Sequence, residues 1–140
     1  MAVIERFEEI EAWREARNLT QQIYHVTRRG AFNRDLGLRD QIQRATVSIM
    51  ANIAEGFDGG SNREFIRYLG YALRSATEIQ SHLYVALDQG YIDKERFRAL
   101  YQLATNVKNL IHGFLRYLRS RIVGKRTGAR MKIMTTNMKN

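Results

Sequence analysis

The 140-residue chain contains no cysteine and no proline. The first absence removes disulfides, thiolate nucleophiles and cysteine-ligated metals together. The second leaves only glycine, asparagine and aspartate to interrupt helices, which favours an all-α chain with short connections. Three histidines are present. His25, His82 and His112 fall on separate predicted helices, with no H-x-x-x-H, H-E-x-x-H or E-x-x-H pair to supply metal ligands one turn apart. The glycine-rich stretch D-G-G-S-N lacks the preceding strand and the Lys-Ser/Thr of a phosphate-binding loop, and there is no nucleophile elbow. These absences predict no enzyme, no cofactor and no metal. No apolar run approaches the ~20 residues that span a bilayer. The opening MAVIERFEEIE is too acidic, and too short in apolar stretch, for a signal peptide. A cytoplasmic protein without a membrane partner is expected.

Acidic residues are also missing from the last stretch. Residues 119–140 carry Arg119, Arg121, Lys125, Arg126, Arg130, Lys132 and Lys139 and no acid, so +7 of the formal net charge of +9 lies there. Such a tail suits a polyanion, RNA or DNA before an acidic membrane, or serves only as a solubilising extension. A second group of cations, Arg28, Arg29, Arg34 and Arg39, crowds the first predicted loop.

What is present is helical periodicity. Four helices are predicted, over residues 9–29, 35–57, 62–89 and 94–121, and every connection is short. Trp13, Ala16, Leu19, Ile23 and Val26 form the apolar face of the first, with Arg14, Asn18, Gln21, Gln22 and His25 facing away. Gly30 suits its C-terminal turn, and Asn33 or Asp35 the next N-cap. Ser61 and Glu64 have the S-x-x-E spacing of a capping box, and Asp93 suits the N-cap of the fourth helix. Phe65, Leu69, Ala72, Ala76, Ile79, Leu83 and Ala86 hold an a/d spacing over three heptads. Phe97, Leu100, Ala104, Val107, Ile111, Phe114 and Leu118 do the same on the fourth helix. The pattern predicts an antiparallel up-down-up-down four-helix bundle over residues 1–122, followed by a basic, disordered tail over residues 123–140. Apolar arcs wider than one core requires point to a homo-oligomer.

The second helix carries a narrow polar seam. Gln41, Arg44, Ser48, Asn52 and Glu55 fall on one side, while Ile42, Ile49 and Ile53 sit beside them. Arg44 and Glu55 lie about 16 Å apart along the helix at 1.5 Å per residue, too far to pair with each other. Glu64 or Glu78 could partner Arg44, and Arg63, Arg67 or Arg74 could partner Glu55, within one chain or across a subunit boundary. The seam reads as a device that sets register and assembly; the rival reading is a contact with RNA backbone.

The segments FEEIEAWREARNLTQQIYHVT, GLRDQIQRATVSIMANIAEG, EFIRYLGYALRSATEIQSHL and LDQGYI resemble the 23S rRNA intervening-sequence proteins. That family is in turn similar to the accessory variability determinant of diversity-generating retroelements. The resemblance spans about residues 7–118 and is most specific at Gln41-Ile42, Arg44-Ala45, Ser48-Ile49 and Asn52-Ile53-Ala54-Glu55-Gly56. It implies a four-helix bundle assembled as a ring, a homopentamer. It also implies a gene sometimes carried inside ribosomal RNA genes and, on the retroelement branch, a non-enzymatic helper of a reverse transcriptase that binds nucleic acid. Phe32-Asn33 stands where the family usually has Phe-Pro, which costs the first loop rigidity.

Two functions follow. One is an oligomeric nucleic-acid-binding accessory protein, acting through Arg28, Arg29, Arg34 and Arg39 and through Arg119, Arg121, Lys125 and Arg126. No helix-turn-helix, RNP or zinc-finger pattern is present, so backbone and shape would be read before sequence. The other is a protein assembly scaffold with no nucleic-acid role of its own.

Overall fold

A computed structural model describes residues 3–124, which are helical over most of their length. A short 3-10 turn, Phe7–Glu9, leads into α1 (Glu11–Thr27), α2 (Gly30–Arg34), α3 (Leu36–Asp58), α4 (Asn62–Asp88) and α5 (Lys94–Gly124). The four long helices pack in the cyclic order α1, α3, α4, α5. Cross-helix contacts give their directions. Thr27 meets Gln43 while Thr20 meets Met50, Gly56 lies against Tyr68 while Ser48 meets Ser75, and Gln80 meets Thr105 while Phe65 meets Phe114. In each pair one residue number falls as the other rises, so neighbours run antiparallel and the bundle alternates up and down.

The a/d stripes form the core. Leu19, Ile23, Ile42, Ile49, Ile53, Leu69, Ile79, Leu83, Val107, Ile111 and Phe114 are fully buried. Burial of this continuous apolar face, at roughly 25 cal/mol per Å², dominates the stabilisation of the bundle. Polar groups inside it are paired: Thr27 and Thr46 bond to backbone carbonyls on their own helices, and Gln80 donates to Thr105 Oγ1 at 2.9 Å.

The ends of the helices follow the local chemistry. Asp35 accepts from the Leu38 amide at 3.1 Å, Ser61 from the Glu64 amide at 3.1 Å and Asp93 from the Arg96 amide at 2.7 Å. The capping box at Ser61 closes on one side only, because Glu64 Oε1 turns to Arg67 at 2.8 Å. α4 ends in a Schellman turn: Tyr91 N–H reaches Ala86 O, Gly90 N–H reaches Leu87 O, and Gly90 takes φ +75°.

The first connection differs from the expected simple break. Gly30, at φ +53°, reverses the chain and opens the five-residue helix α2, which drops Phe32 fully into the core. Phe32 packs against Tyr91 at 5.2 Å between ring centroids, and Tyr91 Oη donates to Asp35 at 2.9 Å. Asn33 restores the stiffness that proline would give. Its backbone oxygen and Oδ1 both accept from Arg39 Nη1, at 3.1 and 3.2 Å. The end of α1, α2, the start of α3 and the α4–α5 turn therefore share one pole of the bundle.

Candidate nucleic-acid interface

The outward sides of α1 and α3 leave an open groove of about 830 Å³ running toward this pole. Thr20, Gln21, Tyr24 and His25 line it from α1, Arg28 and Arg29 from the turn that follows, and Val47 from α3. The wall arises from the periodicity of α1. With Leu19, Ile23 and Val26 committed to the core, Gln21, Tyr24, His25 and Arg28 are left on the outer arc. The Arg28 guanidinium lies over the Tyr24 ring, 5.6 Å from its centroid. Neither Arg28 nor Arg29 pairs with a carboxylate among the described residues, and no carboxylate lines the groove. On α3, Arg44 lies one turn before Val47 and is exposed; it too has no ion pair among the described residues. Two guanidiniums, each able to fork onto a phosphate, thus stand in a polar, aromatic-walled trough.

The other sequence-predicted cations divide. Arg34 is exposed on α2 at the same pole. Arg39 is a brace for the first loop, half-buried against Asn33 and bonded to Asp40 at 3.2 Å. Arg119 and Arg121 lie near the end of α5, at the opposite pole, with Arg121 stacked over Tyr117 at 5.8 Å. Lys125 and Arg126, with the rest of the predicted tail, lie outside the described residues. α5 itself continues to Gly124, two residues past the predicted end of the bundle.

The seam of α3 is a surface feature of the single chain rather than a buried one. Gln41, Arg44 and Glu55 are exposed, and Ser48 and Asn52 half-buried. Its centre is engaged within the chain: Ser75 Oγ donates to Ser48 Oγ at 3.1 Å, and Asn52 Nδ2 donates to Ser48 Oγ at 3.0 Å. Within the chain, the ion pairs offered for its ends are absent among the described residues. Glu78 bonds His82 at 3.0 Å, Glu64 bonds Arg67, and Arg74 lies over Tyr71. Arg67 also stacks on Tyr68 and Tyr71, at 5.3 and 5.7 Å, so the outer face of α4 is an arginine–tyrosine ladder interleaved with carboxylates. Its mixed charge suits a polyanion less well than the groove does.

The sequence reading named as contacts Arg28 and Arg29, which line the groove, but not Tyr24, His25 and Val47, which line it with them. The spacing Tyr24, His25, Arg28, Arg29 on the polar arc of α1 was the available signal. It also passed over the charge of α5: after Glu95 the chain holds no acid, and Arg96, Arg98, Lys108, Arg116, Arg119 and Arg121 follow. Among the described residues no helix is long and apolar enough to cross a membrane, and no three His, Cys, Asp or Glu side chains gather as metal ligands.

The family model of the 23S rRNA-intervening sequence protein matches residues 8–113. The chain belongs to this family. The match covers α1 to most of α5, and so includes both walls of the groove and the seam. A crystal structure of a protein of unknown function of the S23 ribosomal protein family, from Bacteroides thetaiotaomicron VPI-5482, shares the fold. It has a TM-score of 0.68 and 23% sequence identity, covering 74% of this chain and 97% of that one. No curated protein matches.

Proposed function

We propose that this protein is a non-enzymatic, homo-oligomeric nucleic-acid-binding accessory protein that associates with ribosomal RNA. The observation carrying the proposal is the α1–α3 groove, where Arg28 and Arg29 stand without carboxylate partners beside an aromatic wall. The matched family, named for an intervening sequence of 23S rRNA, supports RNA as the polyanion. Self-association as a ring of five, and a role beside a reverse transcriptase of the retroelement type, are the finer parts of the proposal and rest on the family resemblance. Repetition of the groove around a ring would multiply modest contacts by avidity.

The test is binding of a labelled structured RNA and a duplex DNA across a salt series, with three proteins: the full chain, the chain ended at residue 124, and the double variant Arg28→Glu/Arg29→Glu. Loss of two phosphate contacts should flatten the slope of log K against log salt by about 1.8 per groove on duplex. Binding that disappears with residues 125–140 and ignores the double variant would move the site to the tail. Absence of binding by the full chain at low salt would end the nucleic-acid reading.

A second reading, a protein scaffold, is favoured by one patch on the opposite face. Tyr84 and Val85 are 52% and 44% exposed, and Tyr84 clusters with Phe97 and Tyr101 at 4.9 and 5.9 Å between ring centroids. An exposed aromatic cluster of this kind marks protein contact surfaces.

A further inference from the structure

The nucleic-acid reading leaves open whether paired or unpaired strands are bound, and the groove has a shape that bears on this. We infer that it takes an unpaired stretch of nucleic acid, with a base stacked against Tyr24 and the flanking phosphates held by Arg28 and Arg29; the inference rests on the function proposed above. A duplex hides the faces of its bases and offers phosphates along a convex surface. It could use the two arginines but leaves the exposed Val47, and the part of the half-buried Tyr24 ring that Arg28 does not cover, without a partner. An unpaired strand uses both parts. Every base has a π-face, so stacking on an aromatic wall tolerates any sequence, while cations follow the backbone. Arg28 already lies over the Tyr24 ring, so the guanidinium is held near where a phosphate flanking a stacked base would sit. Gln21 adds an amide donor and acceptor, exposed on the same wall. From Thr20 to Thr27 the α1 wall runs about 10.5 Å at 1.5 Å per residue, the length of about three stacked nucleotides at 3.4 Å each, with Arg28 and Arg29 at its end.

The experiment measures fluorescence anisotropy of labelled 12-nucleotide single strands, one oligouridylate and one oligothymidylate, and of a 12-base-pair duplex, against the full chain at fixed salt. Tyr24→Ala should weaken single-strand binding roughly ten-fold and duplex binding several-fold less, whereas Tyr24→Phe should bind like the parent. Val47→Glu places a carboxylate in the groove at an exposed position that folding does not depend on, and should weaken single-strand binding at least as much. Circular dichroism establishes that each variant is folded. Equal or tighter binding of the duplex, with Tyr24→Ala and Val47→Glu indistinguishable from the parent on single strands, would overturn the inference and leave the nucleic-acid reading standing. Failure of the full chain to bind any of the three would overturn both. Oligouridylate binding without oligothymidylate binding would support the inference and restrict it to RNA.

Discussion

At Gly56, α3 and α4 approach closely, and a single methyl group tests that approach. A Cβ built there meets Tyr68 Cβ at 2.7 Å and Phe65 Cδ1 at 2.9 Å, with the Phe65 backbone at 3.5 Å. Tyr68 Cβ is fixed to the α4 backbone, and Phe65 is wedged between Phe57 and Phe114, so neither neighbour yields by a side-chain rotation alone. Gly56→Ala therefore forces the helices apart, and overpacking of this kind costs about 1–3 kcal/mol. Alanine's helix propensity returns at most ~1 kcal/mol, and less near the end of a helix. The net expectation is a loss of about 1–2 kcal/mol, or roughly 3–10 °C in Tm for a domain of this size. Gly70 is the internal control. It lies within α4, and a Cβ there meets nothing within 4 Å, so Gly70→Ala should stabilise by about 0.5–1 kcal/mol. Urea unfolding of the parent and both variants, at one protein concentration so that the proposed self-association contributes equally, reads the two effects with opposite signs. A Gly56→Ala protein at least as stable as the parent would refute the close-approach argument. It would mean that α4 can move without disturbing the core.

Ser61→Ala should cost about 1 kcal/mol by thermal unfolding, as loss of an N-cap does. Glu64→Gln should leave the cap intact, because the Glu64 carboxylate is bonded to Arg67 and not to the Ser61 amide. Phe32→Ala should cost about 3–5 kcal/mol in a urea titration despite lying in a five-residue helix, since its ring is fully buried against Tyr91. The hydrogen bond to Asp35 raises the Tyr91 phenol above its ordinary pKa of 10.0. The stability it adds is thus fully present below pH 10 and fades as pH rises through the raised value. Unfolding midpoints of the parent and Tyr91→Phe should therefore converge in strong alkali; a constant gap from pH 7 to pH 11.5 would assign the difference to packing.

The core was legible because a heptad stripe is a local property of the chain. Residues such as Leu69, Ala76 and Leu83 must face inward on any helix that packs, and they do. N-caps were legible for the same reason, since Asp35, Ser61 and Asp93 act within three residues of themselves. What escaped depends on residues far apart in sequence. Whether Arg39 is a free cation turns on Asn33 turning back to meet it, and whether Glu64 completes a capping box turns on the competing pull of Arg67. The role of the α3 seam in register and assembly is a property of more than one chain; within one chain its ends are exposed, beside an apolar circumference left partly open at Val47 and Met50. The groove was half-seen: its cations announce themselves in the sequence, but its aromatic wall is a cavity only once α3 lies beside α1.

The proposed groove and the proposed assembly constrain each other. If nucleic acid occupies the space between α1 and α3, copies of the chain must meet elsewhere, and the cyclic order of the helices puts the aromatic patch on α4 and α5 directly across the bundle. The strip between α3 and α4 is also open to a neighbour. There Arg44 and Glu55 stand without ion pairs among the described residues, on either side of the small groups Ser48, Ala51 and Asn52. Small residues allow helices to approach closely, and charges of opposite sign at the two ends of such a strip penalise a shifted or reversed partner more than they stabilise the correct one. A seam of this composition therefore specifies a neighbour without adding much affinity, while Tyr84, Val85, Phe97 and Tyr101 supply the apolar area that affinity requires. With those two surfaces assigned to protein contacts in the proposed assembly, the carboxylate-free groove is the face left open to a polyanion, and a ring would repeat it instead of burying it.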